Sequence, residues 1–225
     1  MFVTNCPAMK VGDCLVITDL HIGITRDIWE RGVSLPRQAK KLADRINGLK
    51  KKTKTKRLVI LGDVKHKVPG ISFQEKKEIP EFFSLLKYRE IIITKGNHDG
   101  NIEKIIKDKR VKIRKQFVVG GYVFSHGHRR IKTKNKIIVI GHNQPHIKLI
   151  DKMGAVYVEP VWLKGMTKER VKIIIVPAFN ELCGATIVNK DELLGPIAKK
   201  LIKEKSRVYL LDGTDLGKLS DLMVK

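Results

Sequence analysis

Acidic side chains are in short supply in this sequence. It has 23 Asp and Glu against 46 Lys and Arg, a formal net charge of +23 over 225 residues. A charge of that size attracts polyanions, with nucleic acid or nucleotides as the leading partner class. The plain alternative is a set of lysines on solvated faces. Heat-adapted surfaces also carry many lysines, but with matching Glu, and the match is missing here. Cysteine is sparse as well. Cys6, Cys14 and Cys183 are odd in number and lack CxxC spacing, which excludes a disulfide framework or a zinc ribbon. Cys14 opens an apolar run and reads as a small core residue. No apolar run approaches the roughly 18 residues of a membrane span. The N-terminus has no basic start, apolar centre or small-residue cleavage site. A soluble, cytoplasmic protein is expected. Internal repeats and low-complexity segments are absent too, and the apolar fraction of 42% is ordinary for a globular chain. The length suits one sizeable core.

What the sequence does have is one pattern used five times. Cys14-Leu-Val-Ile-Thr18 runs into Asp19-Leu20-His21, and Arg57-Leu-Val-Ile-Leu61 runs into Gly62-Asp63-Val64-Lys65-His66. Glu90-Ile-Ile-Ile-Thr94 leads to Gly96-Asn97-His98-Asp99, Tyr122-Val-Phe124 to Ser125-His126-Gly127-His128, and Lys136-Ile-Ile-Val-Ile140 to Gly141-His142. Each β-branched run predicts a buried strand. An Asp or His just past such a strand has little packing use, whereas open α/β sheets bind ligands beyond their strand ends. All seven histidines (His21, His66, His98, His126, His128, His142 and His146) fall in or near these motifs.

The segments between them predict an α/β fold. Residues 22–32 read as a loop, with Trp29 and Arg31 near the motif. Ser34 as cap, Pro36 in the first turn and Leu35, Ala39, Leu42, Ala43 and Ile46 on one face predict a helix that stops at Gly48. Residues 50–56 read as a polar connector. A helix that Pro80 either starts or interrupts would bury Phe82, Phe83, Leu85 and Leu86, and a short helix after Asp99 would bury Ile102, Ile105 and Ile106. Strand–helix–strand order means a parallel sheet with crossover helices. From Val111 onward short strands predominate, at 116–119, 122–124, 136–140, 155–162, 172–176 and 185–189. These predict a second, mainly antiparallel sheet, followed by a helix over 191–203 and a last strand over 207–211. The whole, 1–225, reads as one domain, with a core to about 179 and an extension over about 180–225.

Asp, His and Asn together are borderline-to-hard ligands suited to Mn²⁺, Fe, Zn²⁺ or Ni²⁺. One carboxylate on a central strand can bridge two ions, and such a pair polarises a phosphate ester and generates hydroxide at neutral pH. A neutral Asn among the ligands leaves room for an anionic substrate.

Asp19-x-His21, Gly62-Asp63, Gly96-Asn97-His98-Asp99, His126 and Gly141-His142 resemble the signature of the calcineurin-like metallophosphoesterases. The Gly62–His66 turn and Val176-Pro177-Ala178-Phe179 are similar to one branch in particular. That branch holds the archaeal SbcD-related and the bacterial DNA-ligase-associated phosphoesterases. The resemblance implies a four-layer α/β/β/α sandwich with two mixed sheets, and two divalent metal ions, manganese first and Fe, Zn or Ni as alternatives. Asp19 and His21 would hold the first metal and Asp63 would bridge both. Asn97, His126 and His142 would hold the second. His98 would protonate the leaving oxygen or clamp the phosphate.

Two positions depart from that pattern. The family's last motif is Gly-His-x-His, but Gly141-His142-Asn143-Gln144 places Gln144 where an imidazole would complete the first metal, with His146 as the other nearby group. His66 stands where many relatives carry an Asp that pairs with the catalytic histidine. Asp99 would contact His98 or cap the next helix. His128 would support the ligands or, like Arg129 and His66, touch substrate; Arg129 and Arg130 would otherwise be a solvated loop. The expected activity is metal-dependent phosphodiester hydrolysis in nucleic acid or nucleotides. The alternatives are a small-molecule phosphomonoesterase or cyclic nucleotide phosphodiesterase, and a nucleic-acid-binding repair scaffold with a degenerate site. Membrane association is not expected, and homodimerisation is left open.

Overall fold

The computed structural model describes residues 1–134 and 137–224, so Lys136, the expected start of one strand, lies outside the described residues, as does Lys225. Alternation along the strands builds the layers. In the first sheet, β1 (Met9–Val11), β2 (Cys14–Ile17), β3 (Arg57–Ile60), β4 (Glu90–Thr94) and β5 (Val111–Arg114) lie in that order. β2 to β5 are parallel and β1 is antiparallel to β2. Leu15, Ile17, Leu58, Ile60, Ile91 and Ile93 face a helical layer, while Cys14, Val16, Val59, Leu61 and Ile92 face the other sheet. Successive strand side chains point to opposite faces, so one short apolar run serves two cores.

The second sheet contains β6 (Phe117–Val119), β7 (Tyr122–Ser125), β8 (Ile137–Ile140), β9 (Pro145–Ile150), β10 (Val156–Met166), β11 (Lys172–Ile175) and β12 (Thr186–Ile187). Its order is β12-β9-β10-β11-β8-β7-β6, and β13 (Arg207–Leu210) joins β10 and pairs with β14 (Asp215–Lys218). It is mixed: β7/β8, β8/β11 and β9/β12 are parallel. Phe124, Val139, Trp162 and Val176 fill the space between the sheets. The outer face is covered by the C-terminal segment through Val188, Ile197, Ala198 and Leu219.

Several expectations are corrected. Residues 22–32 are not a loop throughout, because α1 spans Ile24–Glu30. α2 starts later and runs further than expected, Ala39–Thr53, with Gln38 rather than Ser34 at its start. It passes through Gly48 because Leu49 is buried and the following lysines are good helix formers that suit the negative end of the helix dipole. α3, Phe73–Leu85, begins at a Ser72–Glu75 capping box and carries Pro80 inside it. Burial of Ile79, Phe82 and Phe83 outweighs the one hydrogen bond that proline removes. After Asp99 only a single 3-10 turn forms, Ile102–Lys104. Val111–Arg114 belongs to the first sheet, where it pairs parallel with β4. The helix expected over 191–203 shrinks to α4, Gly195–Ala198. Leu194 is held extended by Asn143, and Pro196 then starts the helix instead of interrupting it. β1, β9 and β14, none of them among the expected strands, were missed. Among the described residues no helix is long and apolar enough to cross a membrane, and all three cysteines are unpaired.

Candidate metal centre

Five strand ends meet at one place. β2, β3 and β4 of the first sheet deliver Asp19 and His21, Asp63, and Asn97 and His98; β7 and β8 of the second deliver His126 and His142. Leaving a buried strand sharply enough to turn a side chain back over its end strains the backbone. Asp19, His21, Asp63, His142 and Gln144 all have positive φ, between 42° and 67°. Left-handed non-glycine residues are uncommon and cluster at functional sites. Gly62 and Gly96 are fixed by space: a Cβ on Gly62 would sit 2.7 Å from His126 Nδ1, and one on Gly96 would collide with Asp63 Oδ1.

The donors form groups that share members. Asp19, His21 and Asp63 make one, Asp63, His126 and His142 a second, and in each group the ligand atoms lie within 4.8 Å of one another. Asp63 Oδ2 is 3.2 Å from His126 Nε2 and 3.7 Å from His21 Nε2. Asn97 Oδ1 is 3.0 Å from His126 Nε2. The backbone sets which atoms are free. His126 Nδ1 donates to the Leu61 carbonyl at 2.6 Å, which leaves Nε2 for the site. Asp19 Oδ2 accepts from Thr18 Oγ1 and the His142 amide, while its Oδ1 is buried with no partner.

Charge is unbalanced here. Burial, reinforced by Asp63 and partly offset by His126, pushes the Asp19 carboxyl up to about 6. Burial also opposes the Asp63 charge, but His126, His21 and His98 hold that carboxyl well below its usual range. Burial disfavours the His126 cation, yet Asp63 and then Asp19 raise it to about 9. Burial lowers His21 to about 3 and His142 to about 4, so both keep neutral, ligand-competent rings at neutral pH. Two buried carboxylates, an orphaned carboxylate oxygen and neutral imidazoles fit a divalent cation of borderline-to-hard character.

The remaining expected site residues are placed as follows. Gln144 Nε2 is 3.1 Å from His21 Nε2, whereas His146 lies within β9 with Nδ1 at 2.9 Å from the Gln144 carbonyl. His98 Nδ1 donates to the backbone carbonyl of His66 at 2.6 Å. The His66 ring, expected against substrate, has both nitrogens engaged internally, at 3.2 Å from His21 Nδ1 and 3.1 Å from Asp27 Oδ2. His128 packs beside His126 with both ring nitrogens buried and unpartnered. Arg129 and Arg130 are exposed. Asp99 does neither of the things expected of it. Its carboxylate accepts the amides of Asp63 and Gly96 at 2.8 Å, Val64 at 2.9 Å and Lys65 at 3.3 Å, tying the β3 and β4 turns together.

Sequence reasoning missed three residues. Asp27 was overlooked because its helix was read as a loop, although Ile24 and Ile28 with the Arg26–Glu30 pair at i,i+4 carry a helical signal. Asn143 and Asn180 are buried: Asn143 holds Leu194 and Asn180 Nδ2 donates to the Leu20 carbonyl at 2.7 Å. No sequence pattern marks either of them.

The calcineurin-like phosphoesterase family model matches residues 13–198. The chain belongs to that family, and it is a hydrolase of phosphoric esters whose family uses divalent metal ions. No curated protein matches it significantly. Among solved structures, Pseudomonas putida nuclease MPE is similar in fold at TM-score 0.59 and 18% identity, over 91% of this chain and 88% of that one. An archaeal phosphodiesterase matches at TM-score 0.40 and 15% identity, over 73% and 83%. The Escherichia coli phosphoesterase Yfce matches at TM-score 0.39 and 13% identity, over 91% and 97%.

Asp99→Asn keeps the shape but replaces one acceptor oxygen by a donor facing buried amides. It should lower the unfolding free energy by about 2–3 kcal/mol, measured by urea denaturation of metal-free protein. A loss below about 0.5 kcal/mol would show that these amides find other partners.

Proposed function

We propose that the chain is a two-metal phosphodiesterase acting on nucleic acid or nucleotides. One observation carries this reading: Asp63 is a member of both donor groups that contain a carboxylate, so its own carboxylate is placed to serve two cations at once. Asp19 and His21, with Gln144 as a weak third donor, hold the first ion. Asn97, His126 and His142 hold the second, and manganese is the first expectation for both. When bound, the pair supplies Lewis-acid activation of water and of the phosphoryl oxygen. His98 is fixed through Nδ1, leaving Nε2 to give a proton to the leaving oxygen or to hold the phosphate. Arg129, exposed next to His128, is the substrate contact on this side, and His128 supports the His126 ring. The Gly62–His66 turn supports a place near the SbcD-related and ligase-associated branch, and a cytoplasmic location fits that placement.

The substrate class follows from charge and exposure. A net +23 favours a polyphosphate backbone over a small ester. Asn97 and Arg129 are exposed, and Trp29 on α1 is 61% exposed, two positions from Asp27. An exposed aromatic on a strongly basic chain offers a stacking platform for unpaired bases. The fold likeness to a protein named as a nuclease is compatible with this substrate.

Three outcomes test the reading. Asp63→Ala should abolish hydrolysis of bis-nitrophenyl phosphate and single-stranded DNA and remove most bound metal, with the fold retained by circular dichroism. Activity within about tenfold of wild type would sink the two-metal mechanism. Polynucleotide affinity should fall by at least an order of magnitude between about 50 and 200 mM salt, as expected for several phosphate contacts. Turnover of cyclic nucleotides with no polynucleotide binding at low salt would favour the small-molecule alternative. Calorimetric titration with Mn²⁺ should show unequal sites, the Asn97–His126–His142 group filling first, because an amide is a poorer donor than an imidazole. Gln144→His should tighten the weaker one, and two equal tight sites in the wild type would refute the asymmetry.

A further inference from the structure

The site holds a chain of hydrogen bonds that leads away from the metal donors. From the site outward, Gln144 Nε2 lies 3.1 Å from His21 Nε2, His21 Nδ1 lies 3.2 Å from His66 Nδ1, and His66 Nε2 lies 3.1 Å from Asp27 Oδ2. The Asp27 carboxylate can only accept, so a neutral His66 carries its proton on Nε2 and its lone pair on Nδ1. That lone pair makes His21 Nδ1 the donor and leaves the lone pair of His21 on Nε2, facing the site. The same tautomer of His21 is the one that presents Nε2 to Asp19 Oδ1 at 3.8 Å and Asp63 Oδ2 at 3.7 Å, where a metal would sit.

We propose that Asp27 is a positioning residue for the Asp19–His21 metal group, acting through His66 to fix the tautomer and orientation of His21. The proposal rests on the two-metal reading above. A metal-ligating histidine commonly donates its other ring N–H to a carboxylate, which fixes the ring and raises its basicity. Here a second imidazole is inserted between ligand and carboxylate, with His66 as the relay. This gives a physical role to His66, one of the two positions at which the sequence departs from the pattern it resembles. The protein holds this arrangement from several sides. The His66 amide donates to Glu75 Oε1 at 2.8 Å, the Ile22 amide donates to the Val64 carbonyl and the His66 amide lies 3.1 Å from the Ile22 carbonyl, and α1 presents Asp27 from its first turn. The carboxylate also supports the site where a neutral Gln144 leaves it short of a strong donor.

The test compares wild type, Asp27→Ala, Asp27→Asn and Asp27→Glu. In Mn²⁺ calorimetry, Asp27→Ala should weaken the Asp19–His21 step by about 10- to 100-fold, the cost typical of losing a ligand's outer partner. The Asn97–His126–His142 step should stay unchanged, and Asp27→Glu should recover part of the loss. Nitrogen-15 spectra of the metal-free protein should show His21 with its proton on Nδ1 and His66 with its proton on Nε2. Asp27→Ala and Asp27→Asn should mix the His66 tautomers. Equal weakening of both steps, unchanged affinity at both, or wild-type His66 protonated on Nδ1 would overturn the proposal. Because the tautomers are read without metal, a single binding step in the wild type would count against the two-metal reading and leave the relay to be judged on the ring nitrogens.

Discussion

Two carboxylates, Asp19 and Asp63, are buried side by side where strand ends meet, and the surrounding structure is organised to tolerate that. Water is excluded, so the negative charge must be met by the protein or by a bound cation. The protein meets part of it with the His126 ring, the Thr18 hydroxyl and backbone amides. It holds the two turns of the Asp63 and Asn97 motifs with a third carboxylate, Asp99, directed wholly at amides. What remains unmet, including the bare Asp19 Oδ1, lies where a metal would complete the balance.

Placing these groups together takes two sheets. Three parallel strands of the first bring Asp19, His21, Asp63 and Asn97 and two parallel strands of the second bring His126 and His142, so the centre lies across the edge of the layer between them. Rigid packing of Leu61, Val59, Phe124 and Val139 in that layer keeps the halves in register. The C-terminal segment is part of the same device. Phe179 and Asn180 bond the backbone of the Asp19 turn, and Asn143 fastens Leu194 beneath His142. The family match, which runs to residue 198, includes these contacts.

The floor and the rim of the site differ in character. The carboxylates, His21 and His126 are buried and fixed by backbone bonds, as a metal-holding frame requires. Asn97, His98 and Arg129 lie further out, where a phosphate could reach them, on a chain with a net charge of +23. His66 links the two zones. Its carbonyl holds His98 and its ring touches His21, so one residue orients both the expected proton donor and a candidate metal ligand.

Much of this was legible in the sequence for a simple reason. Strand periodicity is local, and a polar ligand directly after a buried apolar run has few packing explanations. The five post-strand motifs therefore named the candidate donors and the fold class together. Other features were out of reach. Whether Gly48 or Pro80 stops a helix depends on burial of Leu49, Phe82 and Phe83 against distant strands, and local propensity carries no record of that. Asp99, Asp27, Asn143 and Asn180 act on groups many residues away, and spacing along the chain does not encode such pairings. The composition and the short motifs determined the chemistry this protein can perform. The tertiary structure decided which groups each histidine ring meets and what each buried carboxylate faces, because those depend on neighbours that only folding brings within hydrogen-bond distance.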